Sequence, residues 1–447
     1  MSKIKNSIYV SDLKASLDRH PKEEMIYENV RKSFYPIASF YGFKALHISL
    51  LDGSRVFSGL ARNKLISQPN PVILKTKEGE EVALRYSVVL SILRSFSLQH
   101  MEGLPTPVKI TSQAEVFSAA PKEEIPWVQS IETSLVVIGE ESPMAEAEML
   151  QVVWKTAEDL DIRIQELNTV VNAIGCSECR PSFQSAISSH LRNRVARLCK
   201  DCKKSVKNSP TDIFSCKEEK CLMVSGSAPP ILDFLCESCK KYLRGLLEFL
   251  DEAEISYLLD GKFFDSDLKY NKIIFQIQAS ISSASKPEEE KPSEKKIIVL
   301  AEGGRMSQLA SQLIGRPTEV SGITMRLKEW KEFLKSRQKT GFDAEHDSPR
   351  VFLTQLGDLA KKKSLNLLEI LRRGKIEVQE SLGRDAIKSQ LKVAEKTGAE
   401  IALILGQKEA LDNTVIVREI NSGIQETVPQ GKLIDFLNRK LKKEKEE

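Results

Sequence analysis

The sequence predicts an α+β fold followed by a separate C-terminal α/β domain, and three observations carry that expectation. Strand-like apolar alternation recurs among amphipathic helical stretches up to about residue 335. Beyond residue 350 strand and helix signals alternate in strict order, as in a βαβ unit of about 100 residues. All eight cysteines of the 447-residue chain lie between Cys176 and Cys239, in four close pairs.

The elements follow in order. An amphipathic helix is expected from residue 22 to about 45, ending near Gly42, and "KALHISLLD" then alternates like a strand. Between Val72 and Phe117 short strand-like runs flank one helix, "VVLSILRSFSLQH". "ETSLVVIG" (132–139) reads as a buried strand, and "PMAEAEMLQVVWKTAEDL" (143–160) as a helix with Pro near its first turn. "RIQELNTV" reads as a strand before the cysteine region, "KYLRGLLEFLDEA" (241–253) as a helix and "KIIFQIQASI" as a strand after it. "SSASKPEEEKPSEKK" (282–296) is too polar to bury a core and is expected to be a mobile hairpin loop, because strand-like "IIVLAEGG" resumes at once. A boundary fits "KSRQKTGFDAEHDSPR" (335–350). After it come strand "VFLTQL", a helix through "LNLLEILRRG", strand "IEVQES", a helix through "IKSQLKVAEKTG" and strand "EIALILG". A hairpin turning at Asn421-Ser422-Gly423 and a helix over 430–442 complete the pattern.

The composition, 41% hydrophobic and 29% charged with a net charge of +4, gives no overall field for nucleic acid, so any such surface is local. The first twenty residues lack a signal-peptide core, and no run of eighteen apolar residues suggests a membrane span. A cytoplasmic protein is expected, in which thiols stay reduced and paired cysteines more often bind metal.

The pairs are Cys176/Cys179, Cys199/Cys202, Cys216/Cys221 and Cys236/Cys239. Such C-x₂₋₄-C turns bring two thiolates to one tetrahedral zinc ion, so one or two structural sites are expected, with the pairing between turns left open. Amid the cysteines, Arg192, Arg194, Arg197, Lys200, Lys203, Lys204 and Lys207 face a single Asp201. Arg197, Lys200, Lys204 and Lys207 recur at helical spacing and would form one stripe; with Arg194 they are the candidate RNA contacts. The five histidines sit in no metal-spaced or triad-like setting, and "GGRMSQLASQLIG" is no nucleotide loop.

From "LNTVVNAIGCSECRPSFQSAI" to "FLDEAEISYLLD" the chain resembles the segment of bacterial histidyl-tRNA synthetases between class II motifs 2 and 3. "LRYSVVLSILR", "LPTPVKITSQAEVF" and "VIGEESPMAEAEML" match that family upstream in order. "GQKEALDNTVIVREINSGIQETV" resembles its anticodon-binding domain, so the likeness covers about 20–442. It implies a class II synthetase-like antiparallel sheet core in two parts, 1–170 and 254–335, interrupted by a helical Cys-rich insertion over 171–253. An anticodon-binding-like α/β domain would occupy 350–447. It also implies tRNA as a partner, and a dimer, either with itself or as a pseudo-dimer with an active synthetase.

The same resemblance implies that the chemistry is lost. In motif 2 the Arg slot is Ser118, the Glu slot Ala120 and the Gln slot Glu132, with Val136 where a further carboxylate belongs. In the histidine-specific stretch the Arg slot is Asp265, the Gly slot Ser266, the Asp slot Leu268 and the first Tyr slot Lys269, while Tyr270 remains. Motif 3 keeps Gly303, Gly304 and Arg305, but its Glu-Arg pair becomes Lys328-Glu329. In the loop that meets the amino group Arg85 stays and the carboxylate is Ser87. A pseudoenzyme that does not use ATP is therefore expected. The alternatives are a divergent but active histidine–tRNA ligase, and a regulatory subunit of the ATP phosphoribosyltransferase type.

Overall fold

The computed structural model describes residues 20–62, 65–66, 70–119, 127–207, 209–264, 269–282, 295–337, 349–380 and 386–443. The chain divides into two compact units, Met1–Thr340 and Gly341–Glu447. Among the described residues no helix is long and apolar enough to cross a membrane.

The first unit opens with helix α1 (Pro21–Phe40), strand β1 (Lys44–Ala45), β2 (Leu51–Gly53), α2 (Ser54–Arg62), β3 (Ile73–Lys75), β4 (Glu81–Leu84) and α3 (Val88–Leu98). The long strands β5 (Val108–Ala119) and β6 (Trp127–Ile138) follow, then α4 (Met144–Asp159) and β7 (Leu167–Gly175). Four helices fill the cysteine region: α5 (Cys179–Arg192), α6 (Lys200–Ser205), α7 (Glu219–Gly226) and α8 (Glu237–Glu252). The unit closes with β8 (Tyr257–Leu259), β9 (Lys272–Ser282), β10 (Lys295–Arg305), α9 (Ser307–Ile314), β11 (Val320–Arg326) and α10 (Leu327–Arg337).

These strands build an eight-stranded sheet in the order β1-β5-β6-β11-β10-β9-β7-β8. All its pairings are antiparallel except β1 with β5 and β7 with β8. Alternation along β6 shows why the sheet has two covered faces. Leu135 and Val137 enter a core shared with α1, α4, α10 and the cysteine region. Val136 and Ile138 enter a second core with α3 and α9. The class II synthetase-like core expected from the sequence is thus present, as an antiparallel-rich sheet between helices.

Some sequence expectations need correction. The first helix stops at Phe40 because Gly42 takes a left-handed φ of +86° and turns the chain. "KALHISLLD" serves two sheets: β1 joins the large one, and β2 joins a three-stranded sheet ordered β2-β4-β3. In "RIQELNTV" residues Ile164–Glu166 form a 3₁₀ turn, held by the Glu166 carboxylate accepting from the Arg163 backbone N–H at 3.0 Å. The strand begins only at Leu167. Around the polar segment 282–296, β9 and β10 pair as a hairpin with Lys295 opposite Ser282; residues 283–294 lie outside the described residues.

The second unit comprises β12 (Val351–Gln355), α11 (Asp358–Arg373), β13 (Val378–Glu380), α12 (Ile387–Lys396), β14 (Ile401–Leu405), α13 (Gln407–Asp412), β15 (Thr414–Glu419), β16 (Gln425–Pro429) and α14 (Leu433–Lys443). Its sheet runs β13-β12-β14-β15-β16, parallel across β13-β12-β14 and antiparallel beyond. Strands β12 and β14 are buried along their whole length, which explains the apolar run "IALIL" and the apolar start of "VFLTQ", whose Thr354 hydroxyl donates to the Leu403 carbonyl at 3.2 Å.

One polar network lies wholly inside the first unit. Arg305 is fully buried at the end of β10, with Nε donating to Glu146 Oε1 at 3.0 Å and a terminal nitrogen to Glu319 Oε2 at 2.6 Å. Its remaining donors reach the carbonyls of Glu140 and Ser142 at 2.9 and 3.0 Å. Glu146 also accepts from Tyr242 and Ser321, each at 2.8 Å. Breaking one member of a buried ion pair leaves the other charge uncompensated, at a cost of about 3–5 kcal/mol. Glu146→Gln is therefore expected to destabilise the protein by at least about 3 kcal/mol in denaturant melts. Glu158→Gln, which removes an exposed pair with Lys155, should change stability by less than about 1 kcal/mol.

Candidate functional site

The face of the sheet that carries α3 and α9 holds a cavity of about 270 Å³. Its floor comes from β5, β6, β10 and β11, whose period-two alternation sends Ser130, Glu132, Thr324 and Arg326 to the same side. The start of α3 and the segment Lys269–Tyr270 form its walls.

Ser87, Ser118, Glu132 and Lys269 all line this cleft. Ser87 is the N-cap of α3, its hydroxyl accepting from the Leu90 N–H at 3.5 Å. Glu132 is half-buried and accepts from the backbone N–H of Val88. Burial pushes its carboxyl up to about 7, against the opposing pull of Arg326 and that N–H. Val136 lies beneath, fully buried. Glu329 sits half-buried in the first turn of α10 and is not among the residues lining the cleft. Ala120, Asp265, Ser266 and Leu268 lie outside the described residues.

Two cleft residues escaped the sequence reading. Arg326 donates to Glu302 Oε1 at 2.7 Å and is register partner of Glu132; Lys269 Nζ lies 3.9 Å from the same Glu302 oxygen. Although burial disfavours its charge, Glu302, Glu132 and Glu329 raise the pKa of Arg326. Lys269 also stands over the Tyr270 ring, 4.9 Å from its centroid. The signal for this constellation is the antiparallel register: Glu302 faces Thr324, two residues from Arg326.

The retained residues of the cleft motifs have structural duties. Arg85 is buried, donating to the carbonyls of Ser49 and Glu115 at 3.0 Å each. Arg305 belongs to the internal network already described. A Cβ on Gly303 would come within 2.4 Å of the Gly322 carbonyl oxygen, and one on Gly304 within 2.3 Å of that of Ile273. Strand packing alone therefore requires both glycines.

The cysteines converge in two groups, Cys176/Cys179/Cys236/Cys239 and Cys199/Cys202/Cys216/Cys221, with sulfurs within 4.8 Å of one another. The pairing is nested, the first pair with the last and the two middle pairs together. Four thiolates at about 2.3 Å from a tetrahedral zinc would stand about 3.8 Å apart. The Cys176–Cys179, Cys176–Cys236 and Cys199–Cys216 sulfurs are 3.7, 3.9 and 3.9 Å apart, which fits. Turns also aim N–H groups at sulfur: Cys236 donates to Cys179 Sγ at 3.1 Å and Cys199 to Cys221 Sγ at 3.2 Å. The backbone N–H of Cys202 lowers the Cys199 thiol to about 7. Both groups can hold a metal ion.

The basic residues do not form the single helical stripe expected. Arg197 ends a 3₁₀ turn, and extended Leu198 and Cys199 separate it from α6. Lys200, Lys204 and Lys207 remain exposed on α6 and just past its end. Arg194 is half-buried and donates to the His190 carbonyl at 3.1 Å, so its guanidinium is engaged within the fold.

Glu132 supplies a pH test of the cleft. Its raised folded-state pKa favours the protonated form, so its contribution is intact below the ordinary carboxylate range near 4.5 and is lost as pH rises through about 7. Glu132→Gln, which keeps the neutral shape, should therefore gain stability relative to the parent between pH 5 and 8, by about 1–3 kcal/mol. Thermal melts across that range measure it.

Comparison with known proteins places this geometry. A family model described as "Anticodon binding domain" matches residues 351–440. The chain is 25% identical over 422 residues to a histidine–tRNA ligase of Dehalococcoides mccartyi, covering 94% of this chain and 97% of the relative. It is 25% identical over 432 residues to that of Caldicellulosiruptor bescii, covering 96% and 99%. Among solved structures, apo S. aureus histidyl-tRNA synthetase superposes with a TM-score of 0.73 at 21% identity, covering 96% of this chain and 99% of that one. A structure named as an ATP phosphoribosyltransferase regulatory subunit/histidyl-tRNA synthetase from Bacillus halodurans gives 0.58 at 12% identity, covering 90% and 99%. The chain is thus similar over nearly its whole length to histidine–tRNA ligases, shares the fold of a solved histidyl-tRNA synthetase, and carries a C-terminal segment that matches the anticodon-binding domain.

Proposed function

We propose that this chain is a non-catalytic member of the histidyl-tRNA synthetase family, a pseudoenzyme that binds tRNA and carries zinc in its two thiol clusters. The observation that supports the loss of chemistry is the charge arrangement of the cleft. Joining an ATP α-phosphate to a carboxylate brings two anions together and needs cationic donors free to meet them. Here the cleft cations Arg326 and Lys269 both face Glu302, and a further carboxyl, Glu132, stands beside Arg326. Ser118 occupies a slot where the family has Arg. Losing one oxyanion-type donor already costs about 2.7–4 kcal/mol of transition-state stabilisation.

We take 1–170 and 254–335 as the two parts of the core, 171–253 as the insertion and 350–447 as the anticodon-binding-like domain. The relatives named as ligases define the competing reading, an active histidine–tRNA ligase. The Bacillus halodurans likeness brings in a regulatory-subunit reading, against which the matched anticodon-binding domain weighs. The protein is expected to pair with itself or with an active synthetase.

Histidine-dependent pyrophosphate exchange by the purified protein should not rise above background. Exchange above that level would establish the ligase reading instead.

Freshly reduced protein should contain about two zinc ions per chain, and chelation should melt the cysteine region before the sheet, since thiolate binding of zinc is coupled to folding. Less than one zinc per chain by metal analysis would reject this.

Binding of tRNA should weaken steeply with salt. Changing Arg197, Lys200, Lys204 and Lys207 together to Gln should lower the log–log slope by about two to four units, close to one per phosphate contact. No retention of tRNA by the parent protein at low salt would rule out RNA binding.

A further inference from the structure

We propose that the two thiol clusters have separate duties: the outer one, Cys176/Cys179/Cys236/Cys239, anchors the insertion to the sheet, and the inner one, Cys199/Cys202/Cys216/Cys221, builds the basic surface that meets RNA. This rests on the zinc and tRNA readings above.

The outer cluster is continuous with the sheet. Cys176 directly follows β7, and at Gly175, where φ is +69°, a Cβ would stand 2.8 Å from that of Cys179. Arg180 beside it donates to the Ile174 carbonyl at 3.1 Å and also to the carbonyl of Tyr270, tying the start of α5 to the strands. On the other side, Cys239 lies in α8 one turn before Tyr242, which donates to the buried Glu146. A metal here closes the neck through which the insertion leaves and rejoins the core.

The inner cluster has no such backing. Its ligands sit on α6 of six residues, α7 of eight and the margin of a six-residue 3₁₀ turn, Pro210–Ser215. Helices this short do not persist alone in water. They lean on the rest of the insertion, and on Phe264 of the second core part, mainly through apolar contacts: Phe214 stacks with Phe183 and Phe264, centroids 6.4 and 5.5 Å away. Helix α6 is capped by Cys199 and contains Cys202, and it also carries exposed Lys200, Lys203 and Lys204. Two of the four inner ligands therefore hold the helix that presents the lysines. Without the inner metal, α6 unwinds and those charges disperse, while the neck stays closed.

The test compares full-length variants by metal analysis, thermal melting and salt titration of binding to unfractionated tRNA. Cys199→Ser/Cys216→Ser should retain about half the metal, keep the main melting transition, and lose about two to three units of salt slope, one per lysine dispersed. Lys200→Gln/Lys203→Gln/Lys204→Gln should lose the same slope with full metal content. Cys176→Ser/Cys236→Ser should lower the main transition while keeping the inner metal. Wild-type slope in the inner-cluster variant overturns the proposal. So does a main transition lowered as far as in the outer-cluster variant. Wild-type protein without metal overturns the zinc reading, and metal-loaded wild type that retains no tRNA overturns the RNA reading; either takes this proposal with it.

Discussion

The Arg305 guanidinium, withdrawn completely from water, constrains most of the first unit. Such a charge is tolerable only if each of its donors is met, and here the partners come from α4, the segment leading into it, and Glu319 just before β11. Through Glu146 and Tyr242 the same network takes in α8, so the last helix of the cysteine region docks against a charge at the end of β10. Sheet, helical layer and insertion are thereby registered on one point. The motif "GGR" persists in this chain for reasons that need no substrate: two glycines whose backbones are closely approached by the neighbouring strands, and an arginine that cannot be removed without stranding two carboxylates.

The cleft illustrates the opposite situation, a polar site where the protein's own groups have met one another. In a pocket able to bind a polyanion, cations project into the space without internal partners. Arg326 instead shares Glu302 with Lys269, and the first N–H groups of α3 are engaged by Glu132 and Ser87. The pKa of Glu132 is raised chiefly by burial and a little further by Glu302, against the pull of Arg326, the Val88 N–H and Lys269.

The sequence made the long elements legible and the short ones obscure. Strands β6, β9 and β10, of eleven or twelve residues, are long enough for an apolar run inside each to be read as a strand. Strands β1 and β2, of two and three residues, share a run that reads as one strand, because neither is long enough to establish its own period. Ser87, Ser118 and Glu132 could be picked out from motif spacing. Arg326 and Glu302 could not, since their encounter depends on which residues face each other across adjacent strands. The partnering of the cysteines was hidden for a related reason: spacing within a pair is local, but Cys179 meets Cys236 across 57 residues, by way of the helices that enter and leave the insertion. The basic stripe failed because the extended backbone at Leu198 and Cys199 interrupts the helical phase on which it was read.

Nested pairing also sets an order of events during synthesis. A ribosome makes Cys176 and Cys179 first, but their partners Cys236 and Cys239 emerge last of the eight. The inner set is complete once Cys221 appears, so a nascent chain can close it while the earlier pair is still waiting. At about 5–20 residues per second the stretch from Cys221 to Cys239 takes about 1–4 seconds. During it the leading thiols have no native counterpart, and the completed inner module keeps the middle four from competing for them.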